Sequence, residues 1–174
     1  MESQENLIVA NGGKPVVFRP SLFIKRMTAR RTFTMGVEFV SAGMFLRRQN
    51  QKSSASLHLL CQGMELILKS LLLDKDYDNF KKKIRSQRDQ HDLYSLAEMV
   101  EAEYHYKKVR PRLKAQLKEL SDLYRRNRLR YPNTLFSFGY HLWLDTDLVF
   151  WKLVAVARLA RRTIFASDDN GRQI

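Results

Sequence analysis

The chain has few means of bracing itself covalently or of turning sharply: one cysteine, four prolines and seven glycines in 174 residues. A single thiol excludes an intramolecular disulfide. Cys61 falls inside an apolar helical run, so it reads as a buried, inert thiol of a reducing compartment. At this length one domain can bury a core without such staples. Long apolar runs are also missing: none approaches the roughly 18 uncharged residues of a membrane span. The best of them, Leu142–Ala157, is broken by Asp145, Asp147 and Lys152. The N-terminus has Glu2 and Glu5 where a signal peptide carries positive charge, and Leu7–Ala10 is too short for its apolar region. A cytoplasmic location is the expectation.

Acidic residues are scarce as well. There are 18 against 31 Lys and Arg, a formal charge of +13, which argues for contact with polyanions rather than for any particular fold. Phosphate backbones come first, and anionic membrane surfaces or an acidic protein partner fit the same charge. There is no Gly-rich phosphate loop, no His-x-x-x-His or Cys-x-x-Cys spacing and no Ser nucleophile elbow, and the four histidines, at 58, 91, 105 and 141, lie on separate segments. No cofactor and no metal are expected.

What the chain does have is helical periodicity. Residues 1–20 form an arm in which Leu7–Ala10 and Val16–Phe18 flank Asn11-Gly12-Gly13, a small-hairpin pattern weakened by Pro15. Residues 21–166 are read as one helical domain and 167–174 as a polar tail. From Ser21 to about Asn50 the inner face is Phe33, Val37, Val40 and Met44, extended toward the start by Phe23 and Met27, with Gly36 and Gly43 permitting close approach of a second helix. Ser53-Ser54 caps an apolar helix to Asp74, on which Glu65 and Lys69 make an i, i+4 surface pair and His58 reads as structural. A basic run follows through Lys81, Lys82, Lys83, Arg85 and Arg88, then a helix from about Asp92 to Tyr106. That helix starts either at Asp92 as N-cap or at a Ser95/Glu98 capping box, which exclude each other.

Pro111 opens the next helix and Pro132 stops it. Its stripe Leu113, Leu117, Leu120, Tyr124, Asn127 and Tyr131 begins apolar and ends in an amide and a phenol. The same stretch is crowded with arginine. Between Lys107 and Tyr131 ten Lys or Arg residues face only Glu119 and Asp122. Arg126 can pair with Asp122 at i−4, leaving Arg125, Arg128 and Arg130 around the helix for phosphates, with Tyr124 and Tyr131 as stacking surfaces for unpaired bases. An aromatic connection, Asn133–Trp143, leads to a last helix from Asp145 or Thr146 to about Phe165. Five helices with little strand signal give an all-α, up-and-down bundle.

The order of these parts resembles the HEPN domains of prokaryotes. Glu65-Leu66-Ile67-Leu68-Lys69 looks like that family's Glu-x-x-x-Lys helix, and His91, Asp92, Leu93 and Leu96 look like its His-Asp-Leu-x-x-Leu after a basic stretch. Arg126-Asn127 reproduces the first half of its late Arg-Asn…His motif. The resemblance covers roughly residues 21–165. It implies a homodimer with two Arg-Asn helix ends across a shared cleft, and a metal-independent ribonuclease of toxin–antitoxin or phage-defence type, in some relatives paired with a nucleotidyltransferase antitoxin. The Arg would steady a phosphate and the His move the proton.

The chain departs from the motif at its second half. Tyr131 stands where the His would be, and a phenol with a reference pKa near 10 is a poor base at neutral pH. The leading expectation is therefore a HEPN-like homodimer that binds RNA or nucleotide through Arg126, Asn127 and Tyr131, with cleavage reduced or absent. The first rival is an active ribonuclease in which Tyr131, His91 or His141 carries the proton. The second is a basic module for an acidic protein partner.

Overall fold

The structure, a computed structural model, describes residues 7–8, 16–17, 20–50, 53–86, 91–105, 111–126, 128–129 and 146–169. Among these are six helices: α1 (Leu22–Gln49), α2 (Ser54–Lys75), α3 (Tyr77–Ser86), α4 (Leu93–Tyr104), α5 (Pro111–Arg125) and α6 (Thr146–Asp169). In the arm, β1 (Leu7–Ile8) and β2 (Val16–Val17) pair antiparallel, Leu7 opposite Val17 and Ile8 opposite Val16. The all-helical bundle is as expected.

Helix α2 is the axis of the bundle, because it packs against all five of the others. Leu57, Leu60, Cys61, Met64, Ile67, Leu68, Leu71 and Leu72 are all buried and recur three and four residues apart on one apolar face, and buried Ser56, Gly63, Glu65 and Ser70 widen it. Among the described helices it is also the one long and apolar enough to cross a membrane, and 67 % of that window lies inside the fold. Cys61 is buried as expected, and burial, joined by the nearby Glu65 charge, pushes its thiol up beyond any ordinary range.

Helices α1 and α2 meet through backbone more than through side chains. A Cβ built on Gly63 would lie 2.6 Å from Val40 Cγ2 and 2.7 Å from the Gly36 carbonyl oxygen, and Ser56 Oγ donates to the Gly43 carbonyl at 2.8 Å. The inner face of α1 is accordingly Ala29, Phe33, Gly36 and Gly43. This corrects the expected face. Phe33 is inside and Val40 packs against the core, but Phe23, Met27, Val37 and Met44 are exposed, because the seam turns the smallest residues of α1 inward and its larger apolar ones out.

The helix count is corrected as well. The lysine run is part of a sixth helix, α3, whose Phe80 is buried and whose Ile84 packs against the core while Lys82 and Lys83 stay outside. Ser53 caps α2, accepting from Ser56 N at 3.2 Å. For α4 the cap is Asp92, accepting from Ser95 N at 3.1 Å, which decides against the Ser95/Glu98 box. Helix α6 runs four residues past Phe165, to Asp169, and joins α1 through the Phe33–Phe165 ring contact at 5.8 Å.

Candidate functional site

The site is built on a buried acid. Glu65 sits in mid-α2 with 4 % of its surface exposed, and three side chains converge on its carboxylate. Lys69 Nζ donates to Oε1 at 2.5 Å, the Tyr124 hydroxyl to Oε2 at 2.7 Å, and His91 Nδ1 stands 2.9 Å from Oε2. The Glu65–Lys69 pair is therefore not the surface pair expected from its i, i+4 spacing, since only 14 % of the Lys69 side chain and 6 % of the Glu65 side chain are exposed.

Each partner is placed by local structure. Lys69 follows from helical spacing within α2. His91 immediately precedes Asp92, and that cap is itself pinned: Ser121 Oγ of α5 donates to Asp92 Oδ1 at 2.8 Å and accepts from Tyr94 N at 3.3 Å. One turn later on α5, Tyr124 continues the buried stripe of Leu113, Leu117 and Leu120 and brings its hydroxyl to Glu65. The His91 ring meets Tyr124 edge-on, 5.9 Å between centroids at 88°, and His58 lies on Tyr124 at 5.3 Å. Two helices and the turn before α4 thus close on one carboxylate.

Burial alone raises the pKa of a carboxyl group, because it penalises the charged form. At Glu65 the hydrogen bonds from Lys69, His91 and Tyr124, with the Lys69 charge, outweigh that penalty and hold the group below the ordinary carboxylate range. The carboxylate is ionised at neutral pH and accepts three hydrogen bonds. Against an ionised acceptor the His91 ring places its Nδ1–H, so the lone pair of the neutral ring belongs to Nε2. With 58 % of its side chain exposed, His91 is open to solvent while Glu65 is not.

The arginine-rich end of α5 follows directly. The helix ends at Arg125 rather than near Tyr131, closed by bonds from Arg126 N to the Asp122 carbonyl at 3.2 Å and from Arg128 N to the Leu123 carbonyl at 3.1 Å. The second of these spans five residues, a pattern with which helices commonly stop. Arg126 is exposed, and Arg125 and Arg128 are half-buried. Asp122 takes its salt bridge from Arg125 Nη2 at 3.1 Å, three residues on, instead of the expected one from Arg126.

Tyr124 is 4 % exposed, which corrects its assignment as a stacking surface for bases: its ring belongs to the core and its hydroxyl to Glu65. Asn127, Arg130, Tyr131 and His141 lie outside the described residues. Among the described residues no group of three His, Cys, Asp or Glu side chains converges in a way that could hold a metal ion. Sequence reasoning missed the convergence of Glu65, His91 and Tyr124, although an acid in the apolar run of α2 and a tyrosine continuing the leucine stripe of α5 were its two visible signs. Compared with protein-family models, curated proteins and solved structures, the chain matches none.

Proposed function

We propose that this chain is a HEPN-like protein that binds RNA or a nucleotide at the basic end of α5 and works as a homodimer. The observation that carries the reading is the tie from Tyr124 to Glu65 to His91, which fixes the end of α5 beside an exposed imidazole, with Arg126 two residues further on. Guanidinium groups suit the flat, two-oxygen edge of a phosphate, and a rigid mount lowers the ordering cost of binding one. A toxin–antitoxin or defence role, and a nucleotidyltransferase antitoxin as partner, follow from the resemblance and belong to the same proposal, as does a cytoplasmic location.

Salt dependence tests the binding. Affinity for a single-stranded RNA should fall linearly against salt on logarithmic axes, with a slope of about 0.7 per phosphate neutralised. Arg126→Ala should weaken binding and reduce that slope by about one such unit. If no RNA binding is measurable at low salt, the reading fails, and a basic surface for an acidic protein takes its place.

The dimer draws support from α1. The large apolar residues exposed among the described ones, among them Leu22, Phe23, Met27 and Phe45, all lie on this helix. Large apolar side chains left exposed along one helix are the kind of surface that contacts between proteins cover. Sedimentation at micromolar concentration should give a dimer that Phe45→Lys converts to monomer; a wild-type monomer would remove the composite cleft.

A further inference from the structure

We propose that two copies of this chain pair through the outer face of α1, antiparallel, about a two-fold axis between Thr34 and Met35, with Arg31 of each copy opposite Glu38 of the other. The inference rests on the homodimer reading and gives it an interface and a register.

The seam with α2 takes the side of α1 that carries Ala29, Phe33, Gly36 and Gly43. Half a turn round the helix lies a second stripe, Ile24, Met27, Arg31, Thr34, Glu38 and Phe45, and every member of it is exposed. Spacings of three, four and seven residues keep it on one side along the length of α1. Its ends are apolar: Phe45 is 63 % exposed, Met27 45 % and Ile24 39 %. Its middle is charged, and Glu38 is the only acid in the 28 residues of the helix. Among the described residues neither Arg31 nor Glu38 has an ion-pair partner. Solvation alone would account for these two charges, but not for large apolar side chains one or two turns beyond them on the same line.

Charge decides what covers the stripe. A chain of net charge +13 repels its own copy, so self-association needs an attraction placed at the contact. A parallel pairing sets Arg31 against Arg31 and Glu38 against Glu38. An antiparallel one, with its axis midway between them, sets each against its opposite, and the two-fold makes every such pair occur twice. Seven residues cover about 10.5 Å of helix, so the two ion pairs flank the axis at about 5 Å on either side. The same register, with no further adjustment, lays Ile24 and Met27 of one copy along Ala42 and Phe45 of the other, and both apolar ends are covered at once. An acidic protein would instead meet Glu38 in the middle of its contact.

The test uses the full chain. Thr34 stands next to the axis, beside Thr34 of the other copy, so Thr34→Cys should be trapped by mild oxidation as a disulfide-linked dimer. Ser41→Cys, exposed but about 10 Å along the helix from the axis, should stay unlinked, as should wild type, whose Cys61 is buried. Arg31→Glu and Glu38→Arg should each raise the dimer dissociation constant about tenfold or more, and the double exchange should bring it back to within about threefold of wild type. A dimer that Thr34→Cys fails to link, or in which the double exchange restores nothing, overturns the register and leaves the homodimer reading standing. A wild-type monomer at micromolar concentration overturns both.

Discussion

Glu65→Ala is expected to lower the unfolding free energy by about 3–5 kcal/mol at pH 7, the usual cost of removing one member of a buried ionic pair. The loss is large because two groups are stranded at once. The Lys69 ammonium, with 14 % of its side chain exposed, keeps its charge without its counter-ion, and the buried Tyr124 hydroxyl loses its acceptor. The effect has a defined pH dependence. Because the folded-state pKa of Glu65 lies below its ordinary value of 4.5, the unfolded chain binds this proton first as pH falls. Its contribution is therefore complete above that ordinary value and is lost as pH drops through the folded one. Urea unfolding of wild type and variant should show the full gap at pH 7 and 5.5 and a narrower one at pH 3. A gap below about 1 kcal/mol at pH 7 would mean that water repairs the network, which a surface location would allow but this one does not.

Gly63→Ala tests the other half of the frame, and its sign is the informative part. At an exposed helical position this change stabilises by about 0.5–1 kcal/mol. Here the added carbon would sit 2.6 Å from Val40 Cγ2, 2.7 Å from the Gly36 carbonyl oxygen and 2.8 Å from Val40 N. Two of those three atoms are backbone, so no rotamer change relieves the clash and α1 must move away from α2. Overpacking of this kind costs about 1–3 kcal/mol, and the upper end applies where backbone has to shift. At about 2–4 °C per kcal/mol for a domain of this size, the melting temperature should fall by about 6–12 °C. A rise would show that the helices do not meet at this seam.

Much of the scaffold was legible because its signals are local. Ser53 and Asp92 as caps, Pro111 as a helix start and the Leu113–Tyr124 stripe each depend on residues within a turn or two, and each is found where it was expected. Helix α3 escaped because its lysines hide Tyr77, Phe80 and Ile84, which stand at helical spacing. The face of α1 was misjudged because apolar residues usually point inward, whereas here glycines decide the approach of the partner helix. The Glu65–Lys69 pair looked like surface because charged residues usually are. Tyr124 was given to bases because arginines follow it in the chain, whereas its hydroxyl serves a buried acid 59 residues away. No periodicity within either helix encodes that meeting. It follows only from the way α5 docks on α2.

That distance along the chain sets the order in which the parts can be put together. Helices α1 and α2 are neighbours in sequence, joined at Asn50–Ser53, and can pair early, as contacts between close segments do. Glu65, His91 and Tyr124 are separated by 26 and 33 positions, 59 in all, and close on one another only once α2, the α4 cap and α5 are already docked. Loop closures of that span come late in assembly. A partly folded chain therefore carries the arginines of α5 and their charge, but not the closed network of Glu65, His91 and Tyr124. That network belongs only to the finished molecule.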